Sequence, residues 1–381
     1  MPNTAMTARA AAIMEQPGSW QIVDVEPGEP RVGEVLVRFK AAGLCHSDAH
    51  AASGAMPVSQ LPLIGGHEGS GVVERVGPGV DRLAPGDRVA AQFVPSCGRC
   101  PNCRRGRMNM CDLAVFGLAG SMPDGTYRAR IDGREAGQMT MLGTFAERAV
   151  VSQYSLVPIP DDVSFEAAAL VSCGVLTGWG SAVNAAGVSA GDTVIVMGTG
   201  GVGMNALQGA AARGAAHVIA VDPVPFKQEA AREFGATAAF GTVAEAADHA
   251  RLATGGQGAD SAIVCVGNLK PGHVAEAVAA IGRGSTVVVT GIGDASEVGL
   301  PISLWELAMT EKRIQGTLYG THTPGDGIPR LLEMYKAGRL KLDELITRRY
   351  KLDEIGAAYE DLHAGRIIRG VVLHGDEAGA G

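Results

Sequence analysis

This 381-residue chain has no excess of positive charge, no long apolar run and no basic-then-apolar leader. Its formal net charge is −8, which disfavours a nucleic-acid or anionic-membrane partner. No run approaches the roughly 20 apolar residues of a membrane span. Met1 to Trp20 lacks the pattern of a secretory leader, so the expected compartment is the cytoplasm. No internal repeat is present. Of the seven cysteines, four crowd between positions 97 and 111, which reads as metal binding rather than a disulfide scaffold. Glycine is plentiful, at 54 residues, and points to strands joined by tight turns. The length is enough for two domains, each with its own core.

Three patterns carry chemistry. The first is Gly66-His67-Glu68-Gly69-Ser70-Gly71, read together with the distant Cys45 and Cys173 as one zinc site with an open position. The second is Cys97-Gly98-Arg99-Cys100-Pro101-Asn102-Cys103 followed by Cys111. Overlapping CxxC steps aim thiolates at one point and the fourth cysteine closes a tetrahedron, so this set reads as a closed, structural zinc site. A nucleic-acid zinc knuckle is excluded by the non-basic surroundings and the lack of interleaved aromatics. The third is Gly198-Thr199-Gly200-Gly201-Val202-Gly203 between a buried apolar run, Thr193 to Met197, and a helix-compatible stretch, Met204 to Arg213. A second strand, His217 to Val221, then ends at Asp222. Strand, G-x-G-x-x-G, helix, strand and acid is the dinucleotide-binding order. Gly198 permits the turn, Gly200 admits the pyrophosphate, Gly203 packs helix on strand, and the helix N-terminus holds phosphate. Asp222 would take the adenosine ribose hydroxyls and repel a 2′-phosphate, favouring NAD over NADP.

Around these motifs the first half reads as mostly β, with strands at Gln21–Val25, Glu34–Lys40, Gly71–Val76, Asp87–Ala91 and Thr144–Val151 and only a short helix near Cys45 to Asp48. Residues 113 to about 143 show no clear period and read as a long functional loop. A helix is expected over Asp161 to Leu170, its start marked by Ser164 and the acids around it, and strands at Ser261–Val266 and Ser285–Thr290 flank a helix at Val274–Ile281. Further on come a helix at Ile328–Lys336, a strand at Ile367–His374 and a disordered tail, Gly375 to Gly381. The fold class is α/β: a β-rich domain and a doubly wound parallel sheet.

With these residues in place, the chain resembles the zinc-containing medium-chain alcohol dehydrogenases over nearly its whole length. Val221-Asp222-Pro223-Val224-Pro225-Phe226-Lys227 and Leu342-Asp343-Glu344-Leu345-Ile346-Thr347 are similar to the nitrosoaniline-dependent branch, nicotinoproteins whose cofactor stays bound through turnover. The resemblance implies a chaperonin-10-like catalytic domain in two pieces, 1–176 and 320–381, around a Rossmann NAD-binding domain, 177–319. It also implies an active site in the cleft between them, NAD as cofactor, two zinc ions per chain, and a small-molecule alcohol or aldehyde as substrate. The 113–143 segment resembles an insertion of dimeric members, so a homodimer is expected.

Residue by residue, the resemblance makes Cys45, His67 and Cys173 the catalytic zinc ligands and Cys97, Cys100, Cys103 and Cys111 the structural ones. Glu68 becomes a neighbouring group or transient ligand, and Asp48 the acceptor that orients His67, unless it merely caps a helix. Ser47 accepts the alcohol proton and His50 passes it to solvent, the alternative for His50 being a plain surface histidine. Cofactor contacts fall to Thr177, Gly198, Gly200, Gly201, Val202, Gly203, Asp222, Val266, Ile292 and Arg369. Lys227 joins them beside the ribose, with a solvated helix charge as the alternative. His46 stands where many relatives place an arginine against the pyrophosphate. Cys265 reads as a buried core cysteine, and Trp179 as packing. A second activity compatible with the same residues is thiol-adduct-dependent formaldehyde dehydrogenation.

Overall fold

The computed structural model describes residues 6–375; the rest of the tail expected to be disordered, 376–381, lies outside the described residues. Its contacts divide into two units, Met1–Cys173 with Thr323–Gly381, and Gly174–His322.

The first unit holds two β assemblies. Strands Ala8–Ile13, Gln21–Pro27, Ala129–Ile131, Arg134–Gln138 and Leu63–Ile64 close a barrel. A seven-stranded sheet runs Leu156–Pro158, Arg88–Ala91, Gly69–Val76, Glu34–Gly43, Arg369–Leu373, Ile346–Lys351, with Arg148–Ser152 pairing Glu34–Gly43 from the side. Alternation along Glu34–Gly43 puts Val35, Val37 and Phe39 into a core with Val73, Val89, Ala91 and Val151. Each such side chain, fully buried, contributes about 1.5–3 kcal/mol. Where this strand crosses Gly69–Val76 the register shifts at Phe39/Ala41, and a Cβ on Gly71 would lie 2.2 Å from the Arg38 carbonyl oxygen. The close crossing requires glycine there.

Three expectations need correction. The strand expected from Thr144 begins only at Arg148, because Thr144 and Phe145 turn aside to donate their N–H groups to Gly66 O and Gly65 O, both at 2.9 Å. The segment 113–143 is not a featureless loop: it forms a helix, Val115–Ala119, and the hairpin Ala129–Ile131/Arg134–Gln138 that supplies two barrel strands. These elements are too short to show a period. The helix expected with its start marked by Ser164 is there: it runs Phe165–Leu170, and the Ser164 Oγ caps it, accepting from Ala167 N at 3.1 Å. Its continuation overturns the absence of a long apolar run. Phe165–Ala185 spans 21 residues, enough to cross a membrane by length and composition, but 83% of its apolar window is buried inside the protein. It is a core helix.

The second unit is a six-stranded parallel sheet in the order Ala238–Phe240, His217–Val221, Thr193–Met197, Ala259–Val264, Ile281–Val289, Arg313–Gly316. Thr193–Met197 is buried along its whole length, as a central strand covered on both faces must be. Chain order reverses direction between it and Ala259–Val264. Such a switch point is where doubly wound sheets bind ligands.

Candidate metal centres and nucleotide site

Cys45 ends the turn between strand Glu34–Gly43 and the helix His46–Ser53. His67 lies on the loop entering strand Gly69–Val76, and Cys173 on a widened π turn, Val171–Val175, a helical irregularity that often marks functional positions. These separated pieces place one donor atom each from Cys45, His67, Glu68 and Cys173 within 4.8 Å of one another. Cys173 Sγ stands 3.6 Å from His67 Nε2. A tetrahedron with 2.3 Å metal–sulfur arms has edges of about 3.8 Å, so the donors fit a zinc ion in spacing and chemistry.

On the far side of the imidazole, His67 Nδ1 meets Asp48 Oδ2 at 3.0 Å, while Asp48 Oδ1 accepts from Gly66 N at 2.8 Å. Asp48 is fully buried and bridges ring and loop; it is not a mere helix cap. Burial alone would lower the His67 pKa, but the charges of Asp48 and Cys45 outweigh it and hold the ring well above its ordinary value. The Cys173 thiol, hydrogen-bonded to Cys45, holds the Cys45 thiolate well below its usual range against burial. Burial pushes Glu68 up to about 8 despite its ion pair with Arg369, itself buried. One thiol is therefore ready to ionise and the other, Cys173, is held protonated in return.

Ser47 Oγ lies 3.6 Å from Cys45 Sγ. His50 is buried, 7% exposed, rather than at the surface as expected. Sequence reading missed three neighbours that carry no motif. Phe93 sets its ring edge-on to His67, with centroids 5.7 Å apart. Tyr359 Oη donates to Cys45 O at 3.4 Å, and Ser172 Oγ accepts from Gly69 N at 3.2 Å. Only topology brings them in.

The cysteine-rich knuckle forms the second cluster. Cys97 and Cys103 sulfurs are 3.9 Å apart, as are those of Cys100 and Cys111, and all four fall within 4.8 Å. The spacing again fits a zinc tetrahedron. Against burial, the N–H groups of Asp112 and Cys103 bring Cys100 down to about 7, while burial drives Cys103 strongly upward.

In the second unit, Gly198 takes a φ of +84° and a Cβ on Gly203 would fall 1.9 Å from Gly198 O, so turn and helix packing both demand glycine. A Cβ on Gly200 would meet nothing within 4 Å, leaving the room a pyrophosphate needs. Helix Gly201–Ala212 follows, including Val202. Asp222 is held by two backbone donors, Thr199 N to Oδ2 at 2.9 Å and Val224 N to Oδ1 at 3.0 Å. Lys227 is buried beside it and its pKa is lowered by desolvation, which removes the solvated-helix reading. Val266 abuts Gly198 and Gly291; Ile292 is largely exposed, and Thr177 packs beside Gly178, whose Cβ would strike Val202 O. His46 and Arg369 belong to the first unit, with the metal set. Cys265 is half-buried rather than fully buried, and desolvation pushes its thiol up to about 12.

Two family models match the chain: "Alcohol dehydrogenase GroES-like domain" over residues 31–161 and "Zinc-binding dehydrogenase" over residues 201–336. The chain is 48% identical to an NDMA-dependent alcohol dehydrogenase of Amycolatopsis methanolica, over 97% of this chain and 99% of the relative. It is 44% identical to alcohol dehydrogenase B of Mycobacterium tuberculosis, over 98% and 100% respectively. Among solved structures it is similar to an alcohol dehydrogenase zinc-binding domain protein of Burkholderia ambifaria, with a TM-score of 0.90, 30% identity and coverage of 97% and 99%. Benzyl alcohol dehydrogenase of Acinetobacter calcoaceticus gives 0.88, 28% identity, and 97% and 100%.

Proposed function

This chain belongs to the zinc-containing medium-chain alcohol dehydrogenase family, and from that premise we propose that it oxidises an alcohol to an aldehyde or ketone with NAD as hydride acceptor. The observation that carries this reading is the convergence of Cys45, His67 and Cys173 from three distant segments onto one point. Zinc held there would supply a Lewis acid that lowers a hydroxyl pKa from about 16 toward about 7. Asp48, 3.0 Å from His67 Nδ1, fixes the ring's orientation and so presents Nε2 to the two sulfurs. Ser47 takes the alcohol proton and His50 receives it next. Arg369 balances Glu68, keeping that carboxylate off the substrate's place. Asp222, fixed by two N–H groups, holds the ribose and repels a 2′-phosphate. Bound along the glycine turn, NAD would supply the hydride-accepting carbon.

Cys97, Cys100, Cys103 and Cys111 would hold a second zinc, which would supply stability rather than chemistry. The likeness to the NDMA-dependent enzyme supports a tightly kept cofactor, reoxidised in place by an external acceptor. The enzyme works in the cytoplasm on small molecules, without nucleic-acid or membrane partners. It pairs as a homodimer, for which the second unit offers the sheet-edge strand Arg313–Gly316 and exposed Val298, Leu304 and Trp305.

Absorbance of the purified protein during addition of a primary alcohol, before any NAD, tests both levels. A reduced-nicotinamide band rising by about one equivalent per chain, the stoichiometry of one dinucleotide fold, marks a retained cofactor. Growth only after NAD is added keeps the dehydrogenase and removes the retention. Silence in both cases, across primary, secondary and benzylic alcohols, refutes the reading.

A further inference from the structure

The loop that presents His67 is wrapped around one side chain that no motif singles out. Thr144 is fully buried. Its N–H donates to Gly66 O at 2.9 Å and its Oγ1 donates to Glu68 O, also at 2.9 Å, so the two bonds bracket His67 on both sides. Its bulk explains the flanking glycines. A Cβ on Gly66 would lie 2.5 Å from Thr144 Oγ1, and one on Gly69 would lie 2.6 Å from Thr144 Cγ2. Gly66 also has a φ of +86°, which L side chains rarely adopt. The two flanking glycines are thus the imprint of a distant pair: Thr144 closes on both, and the Phe145 backbone nitrogen, 2.5 Å from a Cβ on Gly66, closes on the first as well.

Thr144 is itself held. Its carbonyl oxygen lies 2.9 Å from His374 Nε2, and since a carbonyl only accepts, that nitrogen carries the proton. His374 is buried and stands just beyond strand Arg369–Leu373, with its own N–H bonded to Lys40 O at 3.0 Å. It ties Thr144 to the sheet that also carries Arg369 and the strand leading to Cys45.

We propose that Thr144, braced by His374, is a positioning residue for the catalytic metal loop, setting the angle at which His67 meets the ion. The inference rests on the metal reading above. Groups behind metal ligands typically govern affinity or activity by about 10–100-fold, and Thr144 acts on the ligand's backbone from both sides. Thr144→Val keeps the shape and the backbone clamp but removes the Oγ1 donor, whereas Thr144→Ser keeps the donor. His374→Phe removes the brace at similar volume.

The test compares parent and variants as full-length protein. Zinc affinity is measured by chelator competition, the d–d spectrum with cobalt(II) at the catalytic site, and kcat and KM with a primary alcohol. Thr144→Val and His374→Phe should each lose about tenfold in zinc affinity. They should also shift the cobalt bands and lower kcat more than they raise KM, while Thr144→Ser stays within about twofold of the parent. Parental cobalt spectra and zinc affinity in both Thr144→Val and His374→Phe, with only Tm reduced, would overturn the proposal. So would a Thr144→Ser as impaired as the valine variant. If Thr144→Val does not fold, His374→Phe and Thr144→Ser decide by the same readouts. A parent protein that takes up only the knuckle metal refutes the metal reading itself, a distinct result.

Discussion

The two cysteine clusters use the same sulfur chemistry but are built in opposite ways. The knuckle draws all four ligands from a span of fifteen residues, Cys97 to Cys111, on short turns that fix their own geometry. The other site collects Cys45, His67 and Cys173 from the start of a helix, a glycine-flanked loop and a π turn. The local site can form when its segment forms; the distributed one exists only once the sheets have assembled. On the proposed reading, the closed set of four sulfurs would serve stability, and the set with three ligands and a paired carboxylate would leave a place for substrate.

Exchanging one ligand in each site separates those roles most sharply. Cys45→Ser should abolish turnover: losing a Lewis acid worth several kcal/mol, about 4 at the least, is about 10³-fold or more. Thermal stability and one zinc per chain should remain, by metal analysis and calorimetry. Parental activity in that variant would sink the site assignment.

Cys100→Ser should do the reverse. Loss of a structural metal costs on the order of 3 kcal/mol or more, which lowers Tm by roughly 6–12 °C for a domain of this size. The fraction that stays folded should keep its kcat. A variant with unchanged Tm would mean that the knuckle does not carry stability.

A smaller effect distinguishes sulfurs within each site. In metal-stripped protein near pH 8, Cys45 and Cys100 are the thiols held low, whereas Cys103, Cys111, Cys173 and Cys265 are held high. Alkylation requires thiolate, so iodoacetamide should label Cys45 and Cys100 first, as read by peptide mapping. Raising the pH through 9 should keep that order, because burial holds the slow thiols above this range, Cys265 at about 12. Equal labelling at all six positions would contradict the pairing described above.

The same contrast explains what could be read from the chain alone. The knuckle and the glycine turn were legible because each is a short run whose spacing is its geometry. Thr193–Met197 was legible because burial on both faces writes a continuous apolar run. Thr144 and His374 were not, since their partners lie 76 and 230 residues away and the strand patterns they stand in say nothing of them. Alternation over Thr144–Val151 looked like one strand because polarity does not record that the first residues spend their hydrogen bonds on Gly65 and Gly66. His50 was read too near the surface, and Lys227 was left between a ribose contact and a solvated charge, since polarity alone does not record burial; the fold buries both.

Glu68 and Arg369, which pair in the buried site, stand 301 residues apart. At roughly 5–20 residues per second of synthesis, the ribosome makes the second about 15–60 s after the first. Through that interval strand Glu34–Gly43 waits without one of its sheet neighbours, Arg369–Leu373. A nascent chain halted anywhere in between is inert, with a carboxylate that no arginine has yet met. The knuckle, complete by Cys111, can already hold its metal while the rest of the enzyme is still being made.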